Sequence, residues 1–90
     1  MNITTGDVVV ALAGKEKNQI FVVLSVNEKF CFLVDGDRLK LSKPKKKSLK
    51  HVQKASKDKF SESELAAGQE KTNAAIRKFL KEHQVCQKKM

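Results

Sequence analysis

The residues of this sequence best suited to chemistry form a block of lysines near its middle. Residues 43–59 carry eight Lys and one Asp, a local charge of +7, whereas residues 1–42 are neutral and residues 60–90 carry +2. Nearly all of the net charge of +9 therefore lies in one segment. Such a density of like charge repels itself unless water or a polyanion neutralises it. The segment is either a solvated charged loop or a contact for a polyanion.

Pro44 gives this lysine block a shape. Proline fixes its own φ and pushes the preceding Lys43 toward extended backbone, and residues 45–49 are then expected to form a single helical turn. That turn would spread ammonium groups over the spacing of adjacent phosphates, which favours a clamp on a phosphate backbone over a solvated loop. The candidate contacts in this segment are Lys43, Lys45, Lys46, Lys47, Lys50 and His51.

A second candidate contact is the polar loop that follows the first apolar segment. Gly14 permits a tight turn there, and Asn18 is one of the few residues other than glycine that tolerate left-handed backbone. Lys15 and Lys17 project from the loop. The loop is either a second basic contact or an ordinary turn with exposed lysines, and its residues alone leave both interpretations open.

Four short apolar segments must position these lysines. Strands are predicted at residues 8–12, 20–26, 30–34 and 39–41, and a spacing of about ten residues is typical of a small meander barrel. Asp35-Gly36 is a hairpin signal before the last of them. The core candidates are Val8, Val10, Leu12, Ile20, Val22, Leu24, Val26, Phe30, Phe32, Val34, Leu39 and Leu41. Because the Phe residues are assigned to packing, we expect recognition of folded RNA through its backbone rather than stacking of unpaired bases.

The predicted strands are apolar on both faces, so both faces need cover. Ile20, Val22, Leu24 and Val26 should point to one side, taken as the barrel interior. Phe21, Val23 and Leu33 should then lie outside, under the C-terminal tail or against a second copy.

The pattern of residues 61–83 predicts two helices. Residues 61–64 fit a capping box, and Gly68 is expected to end the first helix. Thr72 or Asn73 is expected to cap a second helix that runs to about His83. The apolar stripe of this second helix is Ile76, Phe79 and Leu80, which we expect to pack on the outside of the barrel.

The composition argues against an enzyme. Ninety residues make one small domain, which leaves no room for a deep pocket of roughly 300 Å³ or more. No Ser/His/Asp arrangement stands at a convincing spacing, and the two His and two Cys show no zinc-binding pattern. Asp35 and Asp37 flank Gly36 and fit turn chemistry better than acid–base work. We therefore expect no catalytic residue, no cofactor and no metal.

The cysteines and the N-terminus bear on location. Cys31 lies in an apolar run far from Cys86, which favours two free thiols in a reducing compartment. Residues 1–7 lack the basic flank and apolar core of a signal peptide. No apolar stretch approaches the roughly 18 residues of a membrane span. We expect a cytoplasmic protein without membrane contact.

The order of these features resembles a known family. Residues 6–10, 13–17 and 21–23 resemble a KOW motif, which belongs to translation and transcription proteins with an SH3-like β-barrel. Residues 34–36, 40–41 and 43–51 are more specific. They look like the KOW-bearing ribosomal proteins of the archaeal and eukaryotic large subunit, and like the small bacterial relatives described as KOW-domain RNA-binding proteins.

The resemblance implies a mainly β fold, a small SH3-like (KOW) barrel of about five strands with a short final strand near residues 51–53. It also implies RNA binding through two elements. Gly14 matches the KOW glycine, and Lys15 and Lys17 match its basic loop. The residues that match the basic run are Lys45, Lys46, Lys47 and Lys50. Asn18 departs from the family, since KOW loops often place a second glycine there.

We therefore assign residues 1–54 to a KOW/SH3-like barrel with its basic segment, and residues 55–90 to a helical extension packed on it. The expected function is that of a non-enzymatic RNA-binding protein. Its expected partner is ribosomal RNA or a ribosomal subunit, with ribosomal proteins as neighbours. One alternative is a protein–protein interaction module on an SH3-like barrel in the translation or transcription machinery. A weaker alternative is a polybasic membrane-surface protein.

Overall fold

Antiparallel strands followed by two helices make up the chain in the computed structural model, which describes residues 2–88, with side chains through residue 83. The strands are β1 (Asp7–Ala11), β2 (Ile20–Val26), β3 (Phe30–Val34), β4 (Lys45–Ser48) and β5 (Val52–Lys59). A 3-10 turn at Leu49–His51 joins β4 to β5. The helices are α1 (Glu62–Ala67) and α2 (Glu70–Lys88). The mainly β class with a helical tail is thereby confirmed.

The strands form one sheet in the order β4-β3-β2-β1-β5, with every pair antiparallel. The edges of the sheet are β4 and β5, and no ladder joins these two strands within residues 2–88. They are nevertheless consecutive in the chain, because only the 3-10 turn separates them. The two ends of the sheet are therefore tethered to each other by three residues.

Two apolar clusters lie on the two faces of the sheet. The helix-covered core contains Val8, Ile20, Val22, Val34, Phe60, Leu65, Ile76 and Leu80. The inner core contains Val9, Ala11, Phe21, Val23, Cys31, Leu33 and Val52. The predicted packing of the α2 stripe on a sheet face is thus confirmed, since Ile76 and Leu80 are buried there.

The assignment of the faces was wrong. Phe21, Val23 and Leu33 lie in the inner core and not under the tail, whereas Ile20 and Val22 face the helices. Alternation shows which residues share a face but does not show which face the helices cover. Leu12, a core candidate, is 43% exposed.

A bulge also breaks the alternation in β2. The register with β3 shifts between Val23 and Ser25, so Val26 joins the inner core and leaves the side of Leu24. A bulge inserts one residue into a strand, so the side chains beyond it change faces.

The predicted fourth strand at residues 39–41 is absent, and its place is taken by a loop. The Asp35 carboxylate accepts hydrogen bonds from the backbone N–H groups of Asp37 (2.9 Å) and Leu39 (2.8 Å). Gly36 adopts φ +79°. These bonds hold the chain in a wide turn in place of a two-residue hairpin.

The fourth strand is the lysine block itself. Lys45–Ser48 pairs with β3, so the expected helical turn over residues 45–49 is wrong. Lysine is a poor strand former in isolation. Pairing with the exposed edge of β3 overrides that preference, because each pairing satisfies backbone groups of both strands.

The C-terminal half differs from the prediction mainly at its boundaries. The strand β5 runs to Lys59, past the assigned boundary at residue 54 and beyond the short final strand predicted near residues 51–53. Ser61 caps α1 by accepting from the Glu64 N–H, and Gly68 ends it with φ 61°, as predicted. The helix α2 begins at Glu70, so Thr72 and Asn73 lie inside it and do not cap it.

The two cysteines can be compared with their prediction only in part. Cys31 is a free, fully buried thiol, and burial raises its pKa. The side chain of Cys86 lies outside the described ones.

Candidate nucleic-acid interface

The three consecutive lysines of β4 do not point the same way. Successive side chains on a strand alternate between its faces. Lys45 and Lys47 pair with Leu33 and Cys31 of β3, and therefore share the side of the inner core. Lys46 pairs with Phe32 and projects from the opposite side. The lysine block therefore presents side chains on both faces of the sheet, with Lys45 and Lys47 on one face and Lys46 on the other.

Glu16 bridges the two lysines that face the inner core and offsets one of their two charges. Its two carboxylate oxygens lie 3.0 Å from the Lys45 ammonium and 3.2 Å from that of Lys47. The carboxylate is largely covered, at 12% exposure, and so is the Lys47 side chain, at 11%. Hydrogen bonds from the two lysines, that from Lys45 having the larger effect, lower the pKa of Glu16 from 4.5 to about 2. Glu16 therefore stays ionised at every physiological pH.

Glu16 also joins the two basic elements that the sequence placed apart. It lies in the loop between β1 and β2, whereas its lysine partners lie in β4. At the neck of the loop, Leu12 donates its backbone N–H to the His51 carbonyl at 2.8 Å. The loop between β1 and β2, residues 12–19, is called the Gly14 loop below. It consequently contacts both β4 and the 3-10 turn.

The turn geometry expected of this loop is confirmed. Gly14 has φ +84°, and a Cβ there would lie 3.0 Å from the Lys47 ammonium. Asn18 has φ +73°, the one positive φ outside glycine among the described residues. Its N–H donates to the Ala11 carbonyl at 2.8 Å and closes the loop.

The remaining predicted contact residues lie on the surface. Lys15 and Lys17 are exposed on the loop, beside Glu16. Lys50 and His51 are exposed on the 3-10 turn. Lys43, also exposed, ends the turn that precedes β4. The lysines of this set with no ion-pair partner within residues 2–83 are Lys15, Lys17, Lys43, Lys46 and Lys50.

Two phenylalanines assigned to the core lie at its margin instead. Phe30 and Phe32 are only half-buried and belong to neither core cluster. The Lys46 ammonium sits 4.2 Å from the centroid of the Phe30 ring, within the range of a cation–π contact. Phe30, Phe32 and Lys46 share the face of β3 and β4 that points away from the inner core, which we call the outer side of these strands. The outer side is therefore aromatic as well as basic.

The sequence interpretation missed both carboxylates that organise this basic half of the molecule. The only acid between Asp7 and Glu28 is Glu16, and that isolation within a lysine-bearing loop was the available signal. Asp7 is fully buried and lies 3.9 and 3.8 Å from the ammonium groups of Lys54 and Lys59 on β5. Neither pairing is visible in sequence spacing, because each joins residues more than 25 positions apart.

Metal-ligating clusters are absent from the described residues, where no three His, Cys, Asp or Glu side chains are placed to hold an ion. Of the two described helices, neither combines the length and the apolar character needed to cross a membrane. Neither a protein-family model nor a curated protein matches this sequence.

Proposed function

We propose that this protein binds structured RNA through its phosphate backbone. The observation that carries the proposal is the division of the lysines by Glu16. Lys45 and Lys47 share the single carboxylate of Glu16, which offsets one of their two charges, while five exposed lysines around them have no carboxylate partner among the described residues. A polyanion is the ligand whose sign of charge and number of charges suit such a set of lysines.

The mechanism is electrostatic. Each lysine that meets a phosphate releases condensed counterions, and this release supplies most of the sequence-independent affinity. Glu16 contributes by anchoring the Gly14 loop to β4, so that Lys15 and Lys17 are held on the side of the 3-10 turn that carries Lys50 before RNA arrives. A surface ordered in advance loses less conformational entropy on binding.

We also propose that the sheet is an SH3-like barrel of the KOW type, acting without catalysis at the ribosome in the cytoplasm. Two features support the barrel. The edge strands are joined by a three-residue 3-10 turn, and the loop between β1 and β2 bridges β4 and that turn. The order of the Gly14 loop, the Asp35-Gly36 turn and the lysine block supports the family.

A structural role for the lysines must be distinguished from binding. Lysines on an exposed edge strand discourage other strands from pairing with it, and β4 is an edge strand. That role requires charge at β4 alone. It gives no reason for Lys15, Lys17 and Lys50 to gather beside it.

Salt dependence separates these roles. The binding constant for a ribosomal RNA fragment is measured by fluorescence anisotropy between low and moderate salt. If the five unpaired lysines each meet a phosphate, log K falls against log salt with a slope of about −4. No binding at low salt, or a slope near zero, would contradict the proposal.

Charge-matched variants locate the surface. Replacing Lys46 and Lys50 with Gln should weaken binding and reduce the slope by about two. Replacing Lys71 and Lys78, which are exposed on α2, removes the same charge and should leave the slope nearly unchanged. Equal effects of the two double variants would point to net charge alone. A protein partner in place of RNA would appear as binding to ribosomal subunits that survives ribonuclease treatment.

A further inference from the structure

We infer that the outer side of β3 and β4 holds an unpaired nucleotide, with its base stacked on Phe30. This inference rests on the proposed function, since it names the part of an RNA that one portion of the surface takes. It departs from the expectation that every Phe serves the core.

The first observation is that the helices cover only one end of this sheet face. Along β3, residues 30, 32 and 34 share a face, and Val34 is buried beneath α2 in the helix-covered core. Phe32 and Phe30 continue along the same face and are only partly buried. Burying aromatic surface is favourable, so the part of each ring that remains accessible could gain from a partner.

The second observation is a cleft at the open end of this face. It encloses about 310 Å³ and is lined by Glu28, Lys29, Phe30, Ser48, Leu49 and Lys50. This volume lies near the lower end of the range of small-molecule pockets, which begins at roughly 300 Å³. The residue Lys46 does not line the cleft, although its ammonium covers the Phe30 ring. Phe30 is therefore the aromatic residue of the cleft lining, and Lys46 is not part of that lining.

The third observation is the charge around the ring. Lys29 and Lys50 line the cleft together with Phe30, and the Lys46 ammonium lies over the Phe30 ring, so three lysines border one aromatic side chain. None of the three makes an ion pair within residues 2–83. An aromatic face bordered by cations matches a nucleotide, whose planar base stacks while its phosphate is neutralised.

The single acid of the cleft is compatible with this ligand. Glu28 supplies carboxylate oxygens, which accept hydrogen bonds from the ring and exocyclic N–H groups on the edge of a base. Acidic peptides would meet the same three lysines but offer no flat apolar surface to Phe30. An unpaired nucleotide uses the ring, the cations and the carboxylate together.

The test compares two RNAs that differ in unpaired bases. One is a stem-loop, and the other is a blunt duplex with the same number of phosphates. The protein variant is Phe30→Leu, which keeps apolar volume and removes the aromatic face, and the matched control is Phe30→Tyr, which keeps the face. Affinities are measured by anisotropy at one salt concentration, and the thermal midpoint of each variant is measured by circular dichroism.

Stacking of one base predicts that Phe30→Leu weakens stem-loop binding about tenfold and leaves duplex binding unchanged. Phe30→Tyr should bind both RNAs as the parent does. The inference is overturned if Phe30→Leu leaves stem-loop binding unchanged, or if it weakens both RNAs equally. In either case the parent still binds RNA, so the proposed function survives. If the parent binds neither RNA, the proposed function itself fails.

A measurement on the parent protein keeps the inference testable should Phe30→Leu unfold. Proton NMR of the Phe30 ring is recorded as each RNA is added. A stacked base shifts the ring resonances upfield, and only the stem-loop should produce that shift. Identical spectra with both RNAs would count against base stacking.

Discussion

At the scale of single residues, the acids of this protein explain more than its lysines do. Glu16 meets two ammonium groups at 3.0 and 3.2 Å and holds them to the loop between β1 and β2. Asp7, fully buried, lies between Lys54 and Lys59. In a chain of net charge +9, each such carboxylate lowers the repulsion within the folded state. Among the lysines without an ion pair within residues 2–83, Lys15, Lys17, Lys43, Lys46 and Lys50 make up the proposed binding surface.

Replacing Glu16 with Gln should destabilise the fold near neutral pH. Its carboxylate has a folded pKa of about 2 against 4.5 for the free group, so its ionised form is favoured in the folded state. The stabilisation is therefore present above about pH 4.5 and is lost as pH falls toward 2. We expect the thermal midpoint to drop by about 4–8 °C at pH 7, because a network worth about 1 kcal/mol is removed.

The control for this change is Glu28→Gln, which removes a charge that forms no ion pair within residues 2–83. Thermal melts of the parent and of both variants are recorded from pH 7 down to pH 2. The gap between the parent and Glu16→Gln should close at the acid end. A gap that persisted at pH 2 would show that the carboxylate acts through packing and not through charge.

At the scale of elements, the loop between β3 and β4 is docked on α2 by hydrogen bonds between α2 side chains and the loop backbone. Asn73 accepts a hydrogen bond from the Leu41 N–H at 2.9 Å through its side chain. Arg77 donates to the Gly36 carbonyl at 3.0 Å. A Cβ on Gly36 would collide with the backbone carbonyl oxygen of Asn73 and lie 2.9 Å from the backbone nitrogen of Arg77. This contact requires glycine for space as well as for its φ of +79°.

Gly36→Ala should therefore be strongly destabilising, by roughly 2–5 kcal/mol, because strain at positive φ adds to a backbone collision. Gly68→Ala is the matched control, with φ 61° and no atom closer than 4.0 Å to the added methyl group. The control should lose only about 1–2 kcal/mol. Urea denaturation followed by circular dichroism measures both. Equal losses would mean that the loop can move away from α2 without cost.

The apolar stripe of α2 supplies a second test at this scale. Ile76 is completely buried against Val8, Ile20, Val22 and Val34. Ile76→Ala should cost about 2–5 kcal/mol, since it leaves a cavity in the helix-covered core. Lys78→Ala changes an exposed position on the same helix and should alter stability by less than about 0.5 kcal/mol. A shared urea midpoint for the two variants would contradict the packing of α2.

The elements also show where sequence reasoning succeeds. The strands β2 and β3 begin and end where the sequence predicts, because β-branched and aromatic residues run between clear turn signals. The strand β4 could not be predicted from Lys45–Ser48, whose residues favour no strand. At the candidate site, residue type alone predicts that the lysines are exposed. It also predicts the positive φ angles of Gly14 and Asn18. The Glu16 pairing and the open position of Phe30 depend on tertiary placement.

At the scale of the whole molecule, the sheet and the helices share one core. Leu65, Ile76 and Leu80 complete a cluster whose other half comes from β1, β2 and β3. The boundary drawn at residue 54 therefore does not separate two folding units, since β5 crosses it and α2 covers the strands on its other side.

A chain shortened to residues 1–60 should consequently fail to fold. It would expose Val8, Ile20, Val22 and Val34 to water, and a small domain has little stability to spare. We expect a proton–nitrogen correlation spectrum with the narrow dispersion of an unfolded chain. The full-length protein, recorded under the same conditions, is the reference. A dispersed spectrum from the short chain would show that the sheet is stable without its helices.

The pairing of β1 with β5 has a consequence for the order of events during synthesis. Asp7 lies opposite Lys59, so one side of the first strand stays empty until the fifth has been made. Contacts between residues so distant in sequence form slowly, because the loop between them must close first. The other ladders join strands that follow one another in the chain, namely β1 with β2, β2 with β3 and β3 with β4, and these can form earlier. Completion of the sheet is thus a late event, because it waits until residues 52–59 have been made.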